Sequence, residues 1–210
     1  PFSNVTRGEF AKMLSDVIGT LISDSGRYSY GTVPGNATIS SSGGTLSNTT
    51  INGDLYITAG VGTGFVNLEN VRVIGDVIIS GGGQSNAGDN SINFNNCYVN
   101  RLIVDGEADK VISVDAKGST QIQKTIVKTD AFFEDFGDRD RGFINIELAG
   151  EPETTLTLSG DYKNVSVMKP ENYLVLGKGS IYNLTVDEDA QDSIITLDKN
   201  AYVLNASLDA

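Results

Sequence analysis

Five charged residues crowded into one short stretch, Asp135, Asp138, Arg139, Asp140 and Arg141, have side chains of the types that cleave polysaccharides. Paired carboxylates can protonate a glycosidic oxygen and activate water for its displacement. Carboxylates holding Ca²⁺ beside an arginine favour a different step, abstraction of a sugar proton, as a lyase requires. The spacing does not single out either chemistry. Acids and bases alternate along the stretch and neutralise one another in solvent, so a solvated loop is the reading favoured here, and no catalytic residue is assigned. Asp138 and Asp140 make a D-x-D pair, but the rest of an EF-hand loop does not follow them, so no metal site is assigned. Ca²⁺ is the one cofactor these acids could take.

Composition removes most other chemistries. The chain has no histidine, which excludes serine–histidine and cysteine–histidine nucleophile systems and histidine-bearing zinc sites. Its one cysteine, Cys97, cannot form an internal disulfide, and its place in an Asn-Cys-Tyr-Val run reads as a small buried hydrophobe. With 27 acidic against 15 basic residues the formal charge is −12, which repels nucleic-acid phosphates and anionic lipid. No stretch approaches the roughly 18 apolar residues of a membrane-spanning helix. The chain opens on Pro1 rather than Met, so it is expected to be cut from a longer protein.

The elements that would position the charged stretch are short strands. From about Val33 the pattern alternates with a period of two, rich in Val, Ile and Thr and broken by Gly and Asn. The segments also repeat one another. Leu46 to Ile57 and Leu68 to Ile79 each read apolar, polar, Asn, short strand, Gly-Asp turn, short strand. Phe94 to Val104 and Leu158 to Val167 follow the same plan, and Ile181 to Val186 is matched by Val203 to Leu208. Leu55 to Val77 is 22 residues, Val77 to Leu102 is 25, and Leu184 to Ala206 is 22. A period of roughly 20 to 25 residues predicts a solenoid, because one coil cannot bury its apolar face alone and must stack on its neighbours. Hairpins of an antiparallel sandwich would not hold that phase.

The expected architecture is all-β: a right-handed parallel β-helix over residues 27–210. Its interior would be built from Leu46, Ile51, Leu55, Ile57, Leu68, Val77, Ile79, Phe94, Leu102, Val104, Leu184 and Val186. Asn48, Asn70 and Asn96 share one phase and are expected to stack at a tight bend, where Asn tolerates a left-handed backbone. Two insertions interrupt the repeat. Residues 80–88 form a Gly-rich run expected to be flexible and exposed, and residues 130–141 are expected to form a loop or short helix packed on the side of the stack. Six N-x-[ST] matches, beginning at Asn4, Asn36, Asn48, Asn164, Asn183 and Asn205, belong to this turn chemistry, and no glycosylation is assigned.

Residues 1–26 differ. Val5, Phe10, Leu14, Val17, Ile18 and Leu21 recur at helical spacing, and Thr6 with Glu9 completes a capping box. This single amphipathic helix is expected to cover the open end of the first coil. Its start, Val5-Thr6-Arg7-Gly8-Glu9-Phe10-Ala11, resembles the T-R-A-E-F-A segment of S-layer homology modules, with Gly8 in place of Ala and without the upstream half of the module. The coils from Gly53 to Gly106 are similar to the β-helical region accompanying those modules in surface proteins of Gram-positive bacteria. The resemblance implies a domain of the extracellular cell surface and S-layer, with cell-wall polysaccharide or other envelope proteins as partners. On the matched positions it implies polymer binding by Thr6, Arg7 and Glu9, with Arg7 in contact.

The expected function is a non-catalytic structural or binding domain. Its rivals are a lyase or hydrolase of acidic polysaccharide using the 130–141 carboxylates, and a carbohydrate-binding module with an exposed row of Tyr56, Tyr98, Tyr162 and Tyr182.

Overall fold

The computed structural model, which describes residues 6–83, 91–107 and 110–208, is a parallel β-helix of about nine turns preceded by a single α-helix. Every strand pairing among the described residues is parallel, and it joins residues one turn apart. Leu55 lies beside Val77, Val77 beside Leu102, and Leu184 beside Ala206. The interval read from the sequence is therefore the turn length.

Each turn supplies a segment to three ladders. One carries Ala37–Ile39, Leu55–Ile57 and the end of Val66–Ile79. The second carries Gly26–Tyr28, the start of Gly44–Ile51, Ile92–Asn95, Ile112–Lys117 and Ala131–Asp135. The third carries Gly31–Val33, the end of Gly44–Ile51, the start of Tyr98–Val104, and Gly142–Phe143. Alternate side chains of every strand point inward and fuse into one aliphatic core. Of the expected interior residues all are buried except Val186, which is half-buried near the last turn.

Asn48, Asn70 and Asn96 have φ of 47°, 54° and 56°. Their turn is left-handed, and an Asn side chain accepts this because it can hydrogen-bond locally. Asn70 Nδ2 donates to Asn48 Oδ1 at 3.2 Å, while Asn96 Oδ1 accepts from the Ser119 N–H of the next turn at 2.9 Å. The Gly-Asp turns have a separate cause. Asp54 N–H donates to Asn36 Oδ1 and Asp76 N–H to Asp54 Oδ1, so each side chain lies across the turn of the following coil. A Cβ on Gly53 or Gly75 would fall 2.3 Å from those oxygens. Glycine before Asp keeps this cross-coil bond open.

Four expectations need correction. The helix Arg7–Ile18 has its capping box, yet none of its residues is buried, and Phe10, Leu14 and Val17 are exposed. It does not seal the first coil. It is tied to the solenoid at its last turn, where Asn36 and Thr38 donate to the free carbonyls of Val17 and Ile18. The solenoid also starts earlier than residue 27, since Thr20–Ile22 already pairs with Ala37–Ile39.

The third correction concerns residues 130–141. Ala131–Asp135 is a strand of the coil itself, with Phe133 inside and only residues 136–141 looped out. Phe133 stacks on Phe143 at 4.6 Å, and Phe143 meets Tyr162 in a tilted pair at 6.2 Å, which fills this part of the core with rings instead of aliphatics. In the Gly-rich insertion, Gly81, Gly82 and Gly83 are buried, with the N–H groups of Gly82 and Gly83 donating to Gly62 and Gly64. The rest of that run lies outside the described residues.

Candidate functional site

The three acids singled out from sequence do not converge. Asp135 turns inward and is buried, its Oδ1 accepting from Gly137 N–H at 2.9 Å and its Oδ2 from Phe143 N–H at 3.1 Å. Burial raises its pKa to about 6 despite those two bonds. Asp138 accepts from the Asp140 N–H and shapes its own loop. Asp140 is exposed and pairs with Lys163 of the next turn at 2.8 Å, which lowers its pKa. Arg139 lies over the Tyr182 ring at 5.1 Å, and the Arg141 N–H donates to the Asp138 carbonyl. Asp135 closes the loop, and Asp140 and Arg139 pin it to its neighbours.

A row of exposed tyrosines does not form either. Tyr162 is fully buried and donates to the Phe133 carbonyl at 2.9 Å. Tyr98 lies under Arg72 at 4.4 Å, and Tyr56 donates to Asp54 at 3.2 Å. Cys97 is buried, its thiol pushed up to about 11 by desolvation. At the N-terminus, Thr6 and Glu9 are occupied with each other: Thr6 N–H donates to Glu9 Oε2 at 2.8 Å and Glu9 N–H to Thr6 Oγ1 at 3.2 Å. Arg7 is exposed.

The polar side chains that do converge line the outer face of the second ladder. Strand register places Thr45, Asn67, Asn93, Asp115, Glu134, Ser159 and Lys178 in one column across successive turns. Glu69, Asn95 and Lys117 form a shorter column beside it. Between them lies a groove of about 460 Å³, lined on the last of its turns by Glu134 and Phe136. Phe136 is 55% exposed, with the Lys117 ammonium 5.0 Å from its ring centroid.

Each groove carboxylate has one cation. Asp115 pairs with Lys117 at 2.9 Å, Glu134 with Lys178 at 3.3 Å, and Glu69 with Arg27 at 2.7 Å. Lys117 also donates to Asn93 Oδ1 at 2.7 Å, so the acid, the base and the amide form one fixed cluster. Asp115 is the deepest of these groups, only 5% exposed. These residues escaped the sequence reading because they come from four successive turns, with only a pair of them on each. Their common signal is outward phase on the second ladder, which becomes readable once the register is known. Among the described residues no three or more acids or cysteines gather in a metal-ligating group, and no helix is long and apolar enough to cross a membrane.

The fold and this face together define a parallel β-helix with a polar lateral groove of balanced charge. No protein-family model matches the chain, and neither does any curated protein or solved structure.

Proposed function

We propose that the chain is a non-catalytic domain of the bacterial cell envelope, a stiff spacer of the S-layer type that holds its lateral loops and grooves toward wall polysaccharide or neighbouring proteins. One observation carries the reading: hydrogen bonds between backbone, amides and carboxylates run from turn to turn around an aliphatic interior, so the rungs are coupled along the whole stack. The acidic surface and the Thr6-Arg7-Gly8-Glu9 segment, similar to the start of an S-layer homology helix, support an extracellular place at the wall of a Gram-positive-type cell. No cofactor enters this reading.

The test is location. Immunogold labelling and fractionation of the producing cells are expected to put the protein in the wall fraction, and recovery from the cytosol would overturn the proposal. One contact favours a second reading, cleavage of acidic polysaccharide: Asp140 meets Lys163 from an adjacent turn. Release of unsaturated uronates from polygalacturonate, abolished by Asp140→Asn, would install that reading instead.

A further inference from the structure

We propose that the lateral groove bounded by Asn67, Asn93, Asp115, Lys117, Glu134 and Phe136 binds an uncharged, hydroxyl-rich polysaccharide laid across the turns. The cluster is built rather than incidental. Asp115 is nearly buried although it lies on the outward phase of its strand, and its Oδ2 is taken by Lys117. A carboxylate has about four acceptor positions, so with Lys117 on one of them Asp115 keeps acceptor capacity that a sugar hydroxyl in the groove can use.

The charge balance selects the class. Glu69, Asp115 and Glu134 each have a cation in place, so neither an anionic nor a cationic polymer gains net attraction here, and either would have to break an existing pair. The amides of Asn67, Asn93 and Asn95 present donors and acceptors together, which suits vicinal hydroxyls. Stacked strands set these groups about 4.8 Å apart along the column, so a ligand lying along the solenoid axis meets a polar group at every turn. Phe136 adds an apolar ring on the last turn of the groove, where the face of a pyranose can rest. This inference rests on the non-catalytic reading only in expecting binding without cleavage.

Affinity electrophoresis of the full chain tests it, in gels holding hydroxyethylcellulose, partly deacetylated chitin oligomers or polygalacturonate. Retardation by hydroxyethylcellulose is expected, weakened about tenfold in Phe136→Ala, in line with loss of one aromatic contact. Asn93→Ala is expected to weaken it as well, while Tyr202→Ala, at the far end of the solenoid, leaves it unchanged. Phe136 is exposed, so its variant is expected to keep the wild-type melting midpoint. Absence of retardation, equal retardation in Phe136→Ala and Asn93→Ala, or retardation by a charged polymer alone would each overturn the inference. Shortened hydroxyethylcellulose chains after incubation would leave the groove assigned and sink the non-catalytic reading.

Discussion

At Asn48, Asn70 and Asn96 the backbone is left-handed, whereas Asn145, Asn164, Asn183 and Asn205 all sit in regular strand. Both sets recur once per turn, and both point amides along the stack. In the first half the residue is there for its backbone, and its side-chain bonds are an addition. In the second half the side chain is the reason: Asn164 donates to Asn145 and Asn183 to Asn164, both at 2.8 Å, and Asn205 to Asn183 at 3.2 Å, an amide ladder built on ordinary backbone. Three of these ladder residues open N-x-[ST] matches, and their amides are already engaged by their neighbours. The turn between the halves uses neither device. There the bend becomes the loop of residues 136–141, and a buried carboxylate, Asp135, ties its two ends together. Similar spacing in sequence thus conceals different places in the turn: Asn48, Asn70 and Asn96 make a bend, whereas Asn145, Asn164, Asn183 and Asn205 stack in the strand column that also holds Lys124 and Arg101.

The largest expected effect lies at that middle turn. Asp135→Ala leaves the N–H groups of Gly137 and Phe143 without their acceptor, at a cost of roughly 2–5 kcal/mol in denaturant melts. If the loss is below about 1 kcal/mol, the loop is closed by something other than Asp135. A pH series sharpens the same point. The folded pKa of about 6 lies above the ordinary 3.8, so the fold binds the proton more tightly than the unfolded chain does. The stabilisation linked to Asp135 is fully present below pH 3.8 and is lost as pH rises through 6, amounting to about 2–3 kcal/mol. The difference between wild type and Asp135→Asn, measured from pH 4 to pH 7.5, isolates that window from the general repulsion among surface acids.

The ladder comes next. Asn183→Ala removes the donor to Asn164 and the acceptor for Asn205. A loss of about 1–2 kcal/mol is expected, with Asn183→Gly no better than Ala because glycine weakens a strand interior. Equal stability of all three would mean that water serves these amides as well as their neighbours do.

How much of this was legible follows from what each device leaves in the sequence. Strand period, turn length and the inward aliphatics could be read directly, because stacking forces chemically similar residues to recur at one phase. The bend at Asn48, Asn70 and Asn96 was legible for the same reason, since few residue types tolerate positive φ. The amide ladder from Asn145 to Asn205 was not. Asn145 follows a turn whose outline is disturbed by the loop, and an asparagine in a strand carries no propensity signal, so Asn183 and Asn205 looked like turn residues. Phe132, Phe133 and Phe136 suggested one side-packed cluster, yet alternation along the strand separates them: Phe133 goes to the core, Phe132 to the outer face and Phe136 to the groove. The groove itself was hidden because register, which no single strand encodes, brings Asn93, Asp115 and Glu134 side by side.

The smallest expected effect gives the finest discrimination between the two kinds of asparagine. Asn70→Gly removes one exposed amide bond to Asn48 and in return relieves the residual strain of a side chain at φ 54°. Glycine reaches that region at no steric cost, so the two changes offset and the melt is expected to move by less than about 0.5 kcal/mol. Asn70→Ala loses the same bond but keeps a Cβ in the left-handed region, at a cost of about 1–2 kcal/mol. The order expected at position 70 is therefore Gly close to Asn with Ala below both, while at position 183 Asn stands above Ala and Gly together. Finding Gly as poor as Ala at position 70 would mean that the amide, and not the backbone, holds this bend, as it does in the strand column of Asn183.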